Sequence, residues 1–128
     1  MTPPDFDLST LEETPQVRRW FESAHFDDDP AEERQRKLVL LGEFCDHTGQ
    51  TPEELVKGLL RTTKAGDTAI SSKRREAMNT AIDEFVEKRG LTGKDAVVTG
   101  NTIRGFLVHN GIFIQGRAWR GTATPTSD

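Results

Sequence analysis

Between residues 77 and 86 the apolar side chains Ala77, Met78, Ala81, Ile82, Phe85 and Val86 return every three or four positions, and the run stops at Gly90. A strand turns successive side chains to opposite faces, so this spacing fits a helix with one buried stripe and excludes a strand. Such a stripe is stable only against another apolar face, which commits the chain to helix-on-helix packing. A second stripe is available in Leu38, Leu41 and Cys45, widened by Leu40 and Phe44 and ending at Gly49, where a left-handed residue closes a helix. A third, short one carries Leu55, Val56, Leu59 and Leu60.

The helix starts are written just as plainly. Thr14-Pro15 opens a short helix through Val17, Trp20 and Phe21, and Asp29-Pro30 opens a longer one. Thr51-Pro52-Glu53-Glu54 has the form of a capping box, in which the threonine hydroxyl and the glutamate three residues on satisfy each other's backbone N–H groups. Lys64 to Thr68 is a loop, and Ser71 or Ser72 caps the helix that follows. Thr92-Gly93-Lys94-Asp95 resembles another capping box. The helix it introduces holds Gly100 and Gly105, each costing about 1 kcal/mol relative to alanine, so packing of Ile103, Phe106 and Leu107 must hold it. β-branched Val97, Val98 and Thr99 leave open a break near Gly100. After Asn110-Gly111, Phe113 and Ile114 either fold back over the bundle or form a short extended segment.

These signals predict an all-α fold, a four- to five-helix orthogonal bundle over residues 14–114. Residues 1–13, acidic with a Pro-Pro pair, and residues 115–128, rich in Gly, Thr and Ser, are expected as flexible tails. A length of 128 residues suits one domain. A single cysteine excludes an internal disulfide, no apolar run approaches the ~18 residues of a membrane span, and no secretory signal opens the chain. The expectation is a cytoplasmic protein with no membrane partner. Net charge is −4, but it is unevenly placed: residues 1–54 hold 14 acids and 5 bases, residues 55–128 hold 7 acids and 12 bases. That asymmetry fits a nucleic-acid partner and equally a charged protein surface.

Two segments, KLVLLGEFCDHTGQTPEELV (37–56) and LTGKDAVVTGNTIRGFLVHNGI (91–112), resemble the N-terminal core-binding domain of tyrosine recombinases, the phage-integrase family. Leu41, Phe44, Gly49 and Thr51 to Leu55 match one part of the pattern, and Leu91, Thr92, Ile103, Phe106, Leu107 and Asn110 to Ile112 the other. The resemblance implies a SAM-like helical domain that grips duplex DNA opposite a separate catalytic domain, in a phage or mobile-element setting. It departs from the family pattern at Asp95, Val97, Val98 and Gly100. Strand transfer in that family needs a tyrosine nucleophile, and this chain has no tyrosine. The expectation is therefore a non-catalytic module.

Candidate DNA contacts are Lys57, Arg61 and Lys64, spaced like a helical stripe; Lys73, Arg74 and Arg75; and Lys94, Arg117 and Arg120 toward the end. Asn101, Arg104 and Asn79 carry the donors suited to base edges. Each of these also reads as part of a solvated helix face. The rival function is an acidic protein-interaction module docking on a recombinase or another basic partner. A cut-down integrase with a separately encoded catalytic chain is a third. No cofactor or metal is expected. Cys45-Asp46-His47 lacks further ligands at zinc spacing, His25 and His109 are isolated, and Cys45 sits on an apolar stripe. Asp27 to Asp29 read as a loop ending in an N-cap, and Trp20 and Phe21 as core or as stacking surfaces. No Ser-His-Asp arrangement stands at persuasive spacing.

Overall fold

Trp20, Phe44, Phe85 and Phe106 come from four different helices and meet in one buried cluster. The computed structural model describes residues 8–115. In chain order it contains α1 (Leu8–Glu13), α2 (Pro15–Ser23), a 3-10 turn (Phe26–Asp28), α3 (Ala31–Thr48), α4 (Pro52–Lys57), strands β1 (Leu60–Thr62) and β2 (Thr68–Ile70), α5 (Ser72–Lys88) and α6 (Gly93–Val108). The chain is predominantly helical, as the periodicity predicts, with one small two-stranded sheet. No helix among the described residues is long and apolar enough to cross a membrane.

The predicted stripes form the core. Leu38, Leu41, Phe44 and Cys45 of α3 face Met78, Ile82, Phe85 and Val86 of α5 and Ile103, Phe106 and Leu107 of α6. Trp20 sits edge-on to Phe21, Phe26 and Phe106, with ring centroids 5.4, 5.7 and 5.5 Å away, the geometry favoured by aromatic quadrupoles. Trp20 and Phe21 are therefore core residues rather than stacking surfaces. The predicted box at α4 is present: Glu54 N–H donates to Thr51 Oγ1 at 3.1 Å, and Thr51 N–H donates to Glu54 Oε1 at 2.9 Å. Gly49 ends α3 with φ +72. Gly100 does not break α6, which runs unbroken to Val108.

Four local expectations change. Residues 8–13 are not a tail: they form α1, whose Leu11 is buried in the core against α2 and α3. Residues 1–7 and 116–128, the rest of the two expected tails, lie outside the described residues. The Lys64–Thr68 loop is the turn of a hairpin in which Leu60, Arg61 and Thr62 pair with Ile70, Ala69 and Thr68. Leu60 accordingly belongs to a strand rather than to a helical stripe. Thr92 makes no side-chain cap bond, because Gly93 begins α6 at φ +59 and directs the chain along a different path. Asp29 is not a side-chain cap for α3: its carboxylate pairs with Lys37 at 3.6 Å instead, and Pro30 holds the N-cap position.

Candidate nucleic-acid interface

Lys57 is the last residue of α4, and its ammonium is held by Glu53, one turn back. Beyond it the backbone leaves the helix at Gly58, so Lys57, Arg61 and Lys64 do not form a helical stripe. Arg61 projects from β1 opposite Ala69, and Lys64 stands exposed in the turn. Thr63 shapes that turn, its Oγ1 accepting Asp67 N–H at 3.1 Å while its own N–H donates to Asp67 O at 2.7 Å.

The hairpin is tied to the start of α5. Ser71 N–H donates to Leu59 O at 2.7 Å, and Ser71 Oγ accepts Arg74 N–H at 3.2 Å, capping the helix as one of the two predicted serines. The Arg74 guanidinium reaches back to Gly58 O and Leu60 O, at 3.4 and 3.2 Å, on the hairpin side. One residue on, Arg75 donates to Phe113 O at 3.1 Å, on the side of the chain that follows α6. The first turn of α5 thus lies between the hairpin and the segment 112–115.

These hydrogen-bond partners are neutral carbonyls. They orient the Arg74 and Arg75 guanidinium groups without cancelling their charge. Arg61, Lys64 and Lys73 make no ion pair with any described residue, and the first turn of α5 carries no acid. From Lys57 to Arg75 the sequence holds six bases and one acid, Asp67. The positive end of the α5 dipole adds to the same field. Arg61, Lys64, Lys73, Arg74 and Arg75 therefore form a positive edge in which none is ion-paired with a described carboxylate, with Asp67 in the turn and Glu76 after Arg75 as the acids beside it.

The other expected contacts are elsewhere. Lys94 is exposed at the start of α6, beyond the C-terminal end of α5, a helix of 17 residues and so about 25 Å from Ser72. Asn101 is exposed on α6 and lines a surface depression with Trp20, Phe26, Lys37 and His109. Arg104 does not face solvent. It is 7% exposed, its Nε donating to Asn79 Oδ1 at 2.6 Å and its Nη2 to Asp83 Oδ1 at 3.0 Å. It fastens α6 to α5, and Asn79 is used up in the same lock, its Nδ2 donating to Gln115 O at 3.1 Å. A guanidinium held by a carboxylate and an amide in the helix interface is not placed to read base edges. The signal for this was present in sequence as Asn79 and Asp83, one turn apart on α5, and Gly100 one turn before Arg104.

The remaining candidates are structural. Cys45 is buried, and desolvation, helped by the neighbouring Asp46 carboxylate, pushes its thiol from an ordinary 9.0 up to about 12. A thiol that stays protonated is a poor nucleophile and a poor metal ligand. Ser23 Oγ and His109 Nδ1 lie 2.6 Å apart, joining α2 to the end of α6. Among the described residues no three His, Cys, Asp or Glu side chains converge on a common point. A groove of about 700 Å³ runs between α3 and α6, floored by Val39, Leu40 and Val98 and rimmed by charges of both signs. No protein-family model, curated protein or solved structure matches this chain.

Proposed function

We propose that this chain is a non-catalytic module that binds double-stranded DNA through the phosphate backbone, using Arg61, Lys64, Lys73, Arg74 and Arg75. One observation carries the reading: five cations that make no ion pair with a described residue stand on the hairpin and the first turn of α5, whereas Arg18, Arg19, Lys88 and Lys94, equally unpaired, stand on α2, at the end of α5 and on α6, and Lys57, Arg89 and Arg104 are each held by a carboxylate. Backbone N–H groups and positive side chains at a helix start suit phosphate oxygens. The resemblance to the core-binding domain of tyrosine recombinases supports the same partner. It also suggests that the helices from α2 to α6 make up the SAM-like unit, in a cytoplasmic, phage or mobile-element setting. The absence of tyrosine from the chain supports a role without strand transfer.

The rival, docking of the acidic first half on a basic protein, has a smaller acidic surface than the 14 acids of residues 1–54 suggest, because Asp29, Glu33, Glu43 and Glu53 are already engaged by bases of this chain. Titration of duplex DNA at about 50 and 200 mM salt tests the reading. Five neutralised phosphates give a log–log slope of about −4.5, a loss of roughly 500-fold across that range. A flat salt response, or no binding at the lower salt, refutes it.

A further inference from the structure

Ile112, Phe113 and Ile114 follow α6 in a pattern that sets Phe113 apart. Ile112 and Ile114 are 1% and 4% exposed, while Phe113 between them is 65% exposed, the largest exposure of any large apolar side chain described. Its backbone is fixed. The Phe113 carbonyl accepts from Arg75, the Gln115 carbonyl accepts from Asn79, and the two flanking isoleucines are anchored in the core. An exposed ring on a rigid frame loses little conformational freedom when something stacks on it.

The position of that ring narrows what it would take. Phe113 hangs from the guanidinium that closes one end of the cationic edge, so a polyanion lying along Arg74 and Arg75 passes beside it. Aromatic rings next to a basic groove are the usual platform for nucleobases, because every base offers a π-face. Inside a duplex each base is already stacked on both faces, so away from the duplex ends the ring has a partner only where a base is unpaired.

Resting on the DNA-binding reading, we infer that Phe113 stacks on an unpaired nucleobase held beside Arg75, so that the module prefers a duplex with a single-stranded extension over a blunt one. The test compares a blunt duplex with the same duplex carrying a short extension that contains 2-aminopurine. Wild-type protein binds the extended duplex more tightly and quenches the probe. Phe113→Ala loses about 5- to 150-fold of affinity for the extended duplex, the equivalent of ~1–3 kcal/mol per stacked base, and loses the quenching. Its affinity for the blunt duplex, its salt slope and its thermal midpoint stay at wild-type values. Phe113→Trp restores both signals, and Phe113→Leu, apolar but without a π-face, does not.

Equal wild-type affinity for the two duplexes with no quenching overturns the stacking and leaves backbone binding intact. Binding to the extension without salt-dependent binding to the blunt duplex keeps the stacking and removes the backbone reading. Failure to bind either removes both. Full quenching by Phe113→Leu overturns the stacking, because an apolar side chain without a π-face would then suffice.

Discussion

Gly100 and Gly105 occupy the same helix, and alanine should affect them in opposite directions. In a helix interior alanine is favoured over glycine by about 1 kcal/mol, because glycine has more backbone freedom to lose. At Gly105 a β-carbon would find its nearest neighbour, Trp20 Nε1, at 3.9 Å, an ordinary contact. Gly105→Ala is therefore expected to stabilise the fold by up to ~1 kcal/mol. At Gly100 the added carbon would lie 2.8 Å from Arg104 Nη1, too close for the guanidinium to stay where it is. An arginine tip at the surface would swing away freely. This one is buried and bonded to Asn79 and Asp83. Displacing it sacrifices the Asn79 bond, about 1.5–3 kcal/mol for a charged donor, and weakens the Asp83 pair, which contributes ~1 kcal/mol or less because Asp83 is 52% exposed. Set against the helix gain, Gly100→Ala should destabilise by roughly 1–2 kcal/mol. Urea unfolding followed by circular dichroism measures both, and a double-mutant cycle with Arg104→Met isolates the cause. Where methionine has replaced the guanidinium, the alanine should become neutral or stabilising. If Gly100→Ala stabilises the wild-type chain as Gly105→Ala does, the interhelix role assigned to Arg104 is wrong.

Removing the Thr51 hydroxyl with Thr51→Ala breaks one of the reciprocal bonds of the α4 cap and should cost ~0.5–2 kcal/mol in the same assay, while Thr92→Ala, which removes no cap bond, should leave the midpoint nearly unchanged. Cys45 should resist alkylation by iodoacetamide at pH 8 in the native protein and react readily in denaturant. Because its thiol titrates at about 12 when folded against an ordinary 9.0, its contribution to stability is complete below pH 9 and declines as pH rises from there toward 12. Cys45→Ser should remove that part of the alkaline decline.

The helices that were legible in sequence are those whose apolar residues repeat over several turns. α3 and α5 announce themselves through Leu38, Leu41, Phe44 and Cys45 and through Met78, Ile82, Phe85 and Val86, with Gly49 and Ser71 marking ends. α1 escaped because its six residues are too few for a period to show. The hairpin escaped for a related reason: strands of three residues are too short to alternate visibly. Without the hairpin, the spacing of Lys57, Arg61 and Lys64 resembles a helical stripe, which the strand at Arg61 rules out.

The site was legible in composition but not in arrangement. An excess of bases after residue 55 is a property of the sequence, whereas which bases lack a carboxylate depends on how elements pair. Glu53 and Lys57 are one turn apart and could be matched by counting. Arg104 and Asp83 are 21 positions apart, and only the packing of α6 on α5 brings them together. Long-range pairing of this kind removed Arg104 and Asn79 from the candidate interface, and the hairpin fold added Arg61 and Lys64 to the α5 cluster.

DNA binding through the unpaired positive edge depends on where that edge lies, and a matched pair of variants tests it directly. Arg61→Ala with Lys73→Ala removes two charges from the hairpin and the α5 start, and Lys88→Ala with Lys94→Ala removes two from the opposite end of α5. In duplex titrations across a salt series, the first pair should weaken binding and flatten the log–log slope by about 1.8, and the second should leave the slope at its wild-type value. Equal losses from the two pairs, or a slope that neither changes, would contradict it.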